Sequence, residues 1–64
     1  MTVKELVENK TKGTDVQFIF DVYFKDKCEC NLTAYSVICY YGSMHVNYCC
    51  YKNSTHIELF LLEE

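Results

Sequence analysis

Hydrophobic and polar positions along the chain fall into six segments. Thr2 followed by Glu5 has the form of a capping box. Val3, Leu6 and Val7 then occupy positions i, i+3 and i+4, one apolar stripe of a helix. The stripe ends at Asn9, Lys10 and Lys12 suit the negative end of the helix dipole, and Gly13 suits a helix stop. A helix of about two turns is not stable alone in water, so it must dock. From Asp15 to Phe24 the pattern alternates: Val16, Phe18, Phe20, Val22 and Phe24 share one face, and Asp15, Gln17, Ile19, Asp21 and Tyr23 the other. That is a half-buried strand, with Phe18 and Phe20 in the core.

Lys25-Asp26-Lys27 reads as a hairpin turn, after which Cys28, Cys30 and Leu32 alternate with Glu29 and Asn31 in a second, antiparallel strand. In 33–41, Val37, Ile38 and Tyr41 repeat at helical spacing. Ser36 is a possible cap and Gly42 a stop at the C′ position, so a short helix is preferred over the strand that Val, Ile and Tyr also favour. Met44, Val46, Tyr48 and Cys50 alternate on one face of a third strand, 52–55 is a turn, and 56–62 is a last strand with Ile57, Leu59 and Leu61 inward. The order α-β-β-α-β-β predicts one α+β domain over 1–64, with a four-stranded, mainly antiparallel sheet, an N-terminal helix and a short second helix.

Composition narrows the function. All six basic residues are lysine, nine acidic residues give a net charge of −3, and there is no arginine. Nucleic-acid binders neutralise phosphate with basic patches and read guanine with bidentate arginine, so no direct nucleic-acid contact is expected. No apolar run approaches the roughly 20 residues of a spanning helix. Lys4, Glu5 and Glu8 stand where a signal peptide would be apolar. The expectation is a cytoplasmic protein that makes no membrane contact. A chain of 64 residues is too thin to wall the ~300–1,000 Å³ pocket of a cofactor enzyme. No nucleophile elbow or phosphate loop is present, so the protein is read as no enzyme, without cofactor.

The five cysteines, Cys28, Cys30, Cys39, Cys49 and Cys50, are odd in number and lack the C-x₂-C spacing of common zinc sites. They are read as free, buried thiols acting as small hydrophobes, and no metal is assigned. The alternatives are a disulfide formed under oxidising conditions and a zinc-stabilised module built on Cys28, Cys30, Cys49 or Cys50, and His45. Cys49 and Cys50 would point to opposite faces of a strand, which weakens the zinc reading. His45 and His56 are read as solvent-facing strand residues. Asn31-Leu32-Thr33 and Asn53-Ser54-Thr55 match the glycosylation acceptor pattern and, without an export signal, are read as chance.

The opening Met1-Thr2-Val3-Lys4-Glu5-Leu6-Val7-Glu8, with Thr14-Asp15-Val16 and Ile57-Glu58-Leu59, resembles small uncharacterised proteins of low-GC Gram-positive bacteria and their phages. The resemblance spans about a third of the chain and leaves out the Tyr- and Cys-rich middle, Tyr35 to Tyr51. It implies a mobile-element origin and carries over no functional residue. The lack of Pro and Arg, beside many Lys, Asn, Tyr and Phe, agrees with an AT-rich genome.

Tyr35, Tyr40, Tyr41, Tyr48 and Tyr51 crowd this middle segment, and tyrosine supplies rigid contact area at low entropy cost. In the last strand Phe60 and Leu62 make a second apolar face, where a one-sided sheet needs only one. These seven residues are the expected protein-binding surface. The expected function is a non-enzymatic binding module, most concretely a mobile-element inhibitor of a host defence protein, of the anti-CRISPR or another anti-defence type, acting by occlusion. A homodimer through the second face of the last strand is the other expected use of it.

Overall fold

The computed structural model describes residues 1–63. Its elements are α1 (Val3–Thr11), β1 (Ile19–Phe24), β2 (Lys27–Thr33), α2 (Ala34–Tyr41), β3 (Val46–Asn53) and β4 (His56–Leu61). The class and the element order are those the hydrophobic pattern predicts. The sheet order is β2-β1-β4-β3. Two hairpins, β1–β2 and β3–β4, are antiparallel, and they meet at a central parallel pair, β1 beside β4. The sheet is therefore mixed, and the chain crosses from one hairpin to the other through α2.

The capping box of α1 forms in full: the Glu5 N–H donates to Thr2 Oγ1 and the Thr2 N–H donates to Glu5 Oε1. Two further N–H groups of the first turn, those of Val3 and Lys4, donate to the carbonyls of Met44 and Gly42. These satisfy donors that a helix start leaves without internal partners, and they tie α1 to the loop before β3. α2 is capped by Thr33, whose side chain accepts from the Ser36 N–H, one turn earlier than the cap expected at Ser36. Gly42 ends α2 in a right-handed conformation rather than the left-handed C′ geometry expected of it. It is needed for closeness instead: a Cβ there would run into the Ile38 carbonyl oxygen.

β1 is shorter than the 15–24 alternation. Its pairing stops at Ile19, opposite Thr33 and His56. Beyond Thr33 the neighbouring strand has become α2, and before His56 lies a turn, so residues 15–18 have no strand to pair with. The Val16 N–H donates to the Thr14 hydroxyl instead, and Val16 is 45% exposed rather than inward. Phe18 is only partly buried against the core, whereas Phe20 is fully buried.

Two bulges overturn the expected faces of the hairpin partners. Between Phe20↔Leu32 and Val22↔Glu29 the register slips by one, and Cys30 and Asn31 together oppose Asp21. Asn31 takes φ 60° there, a left-handed conformation that asparagine tolerates well. A one-residue slip reverses the faces beyond it. Leu32 thus points inward while Cys28 and Cys30 point outward, so the three do not share a face. In β3 a slip between Val46 and Tyr48 places Val46, Cys49 and Tyr51 in register with Leu61, Leu59 and Ile57, and Tyr48 and Cys50 with Phe60 and Glu58. The expected face of Met44, Val46, Tyr48 and Cys50 is split accordingly.

Both helices lie on one side of the sheet. Val3, Leu6 and Val7 of α1, Val37 of α2, Phe20 and Val22 of β1, and Ile57, Leu59 and Leu61 of β4 form a single buried cluster. α1 reaches toward Cys49 and Tyr51 of β3, where Lys10 Nζ sits 4.8 Å above the Tyr51 ring. α2 covers the β1–β2 half. Among the described residues no helix is long and apolar enough to cross a membrane.

Candidate functional site: the uncovered sheet face

The side of the sheet away from the helices is built from alternate residues of all four strands. Tyr23, Phe60 and Tyr48, on β1, β4 and β3, stand side by side in cross-strand register. Their rings stack: Tyr23–Phe60 at 4.7 Å and 9°, Phe60–Tyr48 at 4.5 Å and 12°. Aromatic pairs contribute about 0.5–1.5 kcal/mol each beyond their burial. Phe60 is thus flanked sideways by the rings of neighbouring strands and is half-buried. Tyr48, at the sheet edge, remains 53% exposed.

One step along the strands the chemistry turns polar. The Tyr23 hydroxyl donates to Glu58 Oε2 at 2.9 Å. That bond is the main reason the phenol titrates well above its ordinary range. Asp21 is 1% exposed. Its Oδ1 accepts the bulge N–H of Asn31 at 3.0 Å and lies 2.8 Å from His56 Nε2. The second contact is electrostatic rather than a well-aligned hydrogen bond. Burial pushes the Asp21 carboxyl up, but the Asn31 N–H and His56 pull it down, and the balance falls below the ordinary carboxylate value. His56 is therefore half-buried beside an acid, not a free surface histidine.

The alternation in 15–24 puts Asp21 on the solvent side. Its burial follows from the parallel neighbour His56 and from the bulge, neither of which leaves a mark in the local pattern. Around this centre lie the exposed thiols of Cys28, Cys30 and Cys50. All five cysteines are free, and Cys28, Cys30, Cys39 and Cys50 are exposed, with Cys49 half-buried. The reading of buried hydrophobic thiols fails for those four.

The seven expected contact residues do not form one surface. Tyr48 and Phe60 belong to the uncovered face. Tyr35 and Tyr40, 79% and 71% exposed, project from α2. Tyr41 is half-buried, and its hydroxyl donates to Glu29 of β2, which pushes its titration up to about 12. Tyr51 sits on the helix-covered side beside Lys10. Leu62, 42% exposed, follows the end of β4 and lines a shallow recess with Phe24, Met44 and His45.

The ligands of the alternative zinc reading are dispersed as well. Cys49 and Cys50 point to opposite faces, and His45 sits in an isolated bridge to Thr2. No group of three or more His, Cys, Asp or Glu side chains among the described residues could hold a metal ion.

Comparison with known proteins returned no matching family model, no matching curated protein and no matching solved structure.

Proposed function

We propose that this chain is a non-enzymatic protein-binding module whose contact surface is the uncovered sheet face. The observation that carries this reading is the stacked row Tyr23–Phe60–Tyr48 on a side that no helix covers among the described residues. A solvated sheet face ordinarily carries polar residues, and contact hot spots are enriched in tyrosine held in packed surroundings. The occupant is a foreign protein, with an apolar patch to lie on the aromatic edges and a basic side chain to meet Glu58. The net charge of −3 favours a basic partner. In its most concrete form the module is a mobile-element protein that occludes a host defence factor, an action that needs a surface and no reaction centre.

Site-specific photo-crosslinking in the cell of origin tests the reading. A photoreactive residue at position 48 is expected to trap one discrete protein, the trap being lost when Phe60→Ser is added, while position 35 on α2 traps none. Trapping from position 35 alone, or no discrete product from position 48, contradicts it. A product made of two copies of this chain replaces the foreign partner with a homodimer.

A further inference from the structure

Cys28 and Cys30 flank Glu29 on the edge strand β2, with Sγ atoms 3.4 Å apart and both residues exposed. We propose that this pair is a reversible dithiol–disulfide site, oxidised by exchange with low-molecular-weight disulfides, and that its closure loosens the anchorage of α2.

Residues i and i+2 of a strand have Cα atoms about 6.6–6.8 Å apart, from a rise of roughly 3.3–3.4 Å per residue. A disulfide accepts Cα separations up to about 6.8 Å and prefers roughly 5.5–6 Å. A regular strand therefore holds such a pair at the limit of bonding. β2 is not regular there: Cys30 shares the bulge with Asn31 opposite Asp21, and a bulged strand is already bent. The site can close by a local shortening of β2, and a bond made against the strand's preferred length is readily reduced. Strained, exposed disulfides are the labile ones. Among the described residues β2 has no neighbour on its outer edge, so a small disulfide has access.

The exchange balances as follows. The Cys28 thiol loses its proton and its sulfur attacks one sulfur of the small disulfide, breaking that S–S bond and releasing one thiolate. The Cys30 thiolate then attacks the Cys28 sulfur of the mixed disulfide and expels the second thiolate. The dithiol has given up two electrons and two protons, and the small disulfide has become two thiols. The Cys30 thiol is held above its ordinary value, chiefly by its hydrogen bond with Cys28, which gives Cys30 the second, resolving step. Glu29, between the two cysteines, accepts the Tyr41 hydroxyl at the end of α2. Shortening β2 displaces this carboxylate from Tyr41.

The test incubates the full-length chain in buffers of oxidised and reduced glutathione and cleaves it after Glu29. In the oxidised chain the pieces carrying Cys28 and Cys30 are expected to stay joined until reductant is added, with no glutathione retained on either of these two cysteines. The Cys30→Ser chain is expected to retain one glutathione on Cys28, with its pieces separating. Amide exchange in α2 should be several-fold faster in the oxidised wild type than in the reduced one. Glutathione retained on Cys28 of the wild type, or pieces that stay joined in Cys30→Ser, overturns the pairing. Equal exchange in both states overturns the link to α2.

Discussion

The two faces of this sheet are stabilised in different ways. On the helix-covered side, Phe20, Val22, Ile57, Leu59 and Leu61 meet Val3, Leu6, Val7 and Val37, and every one of these is nearly or fully buried. Burial is non-directional there, and geometry is set by shape. On the open side a buried acid, a histidine, a bulge amide and three stacked rings hold each other by direction and charge. The first face makes the fold, while the second is the face we propose for a partner. A 64-residue chain buries only roughly 60% of its unfolded surface, and its whole stability is on the order of 3–6 kcal/mol. Single side chains on either face are therefore expected to have visible effects.

The largest effect should come from the covered face. Phe20→Ala is expected to cost about 3–5 kcal/mol, which leaves little or no folded protein at room temperature. Phe18→Ala, outside the paired strand and only partly buried, should cost about 1–2 kcal/mol. Urea melts of the two variants separate them, and equal losses would mean that the division between paired strand and preceding segment is wrong.

Next comes Asp21. Asp21→Ala strands the Asn31 N–H and His56 and should cost about 2–3 kcal/mol. Asp21→Asn keeps an acceptor for Asn31 and should cost less. The carboxyl titrates lower in the folded chain than in the unfolded one. Its contribution is thus present above the unfolded value of about 4 and is lost as pH falls through the folded value. Wild-type stability should fall more steeply than that of Asp21→Asn below about pH 4, and parallel curves would show that the pair contributes nothing through charge.

How far the sequence carries differs between the faces for the same physical reason. The covered face is legible because burial imprints a period: Val3-Leu6-Val7, Phe20-Val22 and Ile57-Leu59-Leu61 are all inward as read. The capping box at Thr2 is legible because both partners are local. What is not legible is long-range. The parallel pairing of β1 with β4, which buries Asp21 against His56, joins residues 35 positions apart. The bulges at Asn31 and before Tyr48 reverse faces without altering the composition of the strands. Two of the three residues of the stacked row, Phe60 and Tyr48, are legible as contact candidates, and Tyr23 joins them only through that parallel pairing.

The smallest expected effect concerns the first hairpin turn. Lys25 holds φ 56°, a conformation that costs an L-residue roughly 1–2 kcal/mol. Lys25→Gly relieves it at the expense of unfolded-chain entropy and should stabilise by up to about 1 kcal/mol. Because the turn belongs to neither face, the change should leave Asp21 titration and any partner affinity untouched. A destabilised variant would show that the Lys25 side chain, near the Phe24 ring, contributes more than the backbone strain removes.

The division between the faces is tested most directly by paired measurement of stability and affinity in Tyr48→Ala, using the protein trapped from position 48 as the titrant. Tyr48 is exposed at the end of the stack, so its loss should lower stability by only about 0.5–1.5 kcal/mol. As an anchor of the contact it should weaken binding by about 2 kcal/mol or more. An affinity equal to that of the wild type, in a chain that still melts cooperatively, would contradict the assignment of this face to partner binding.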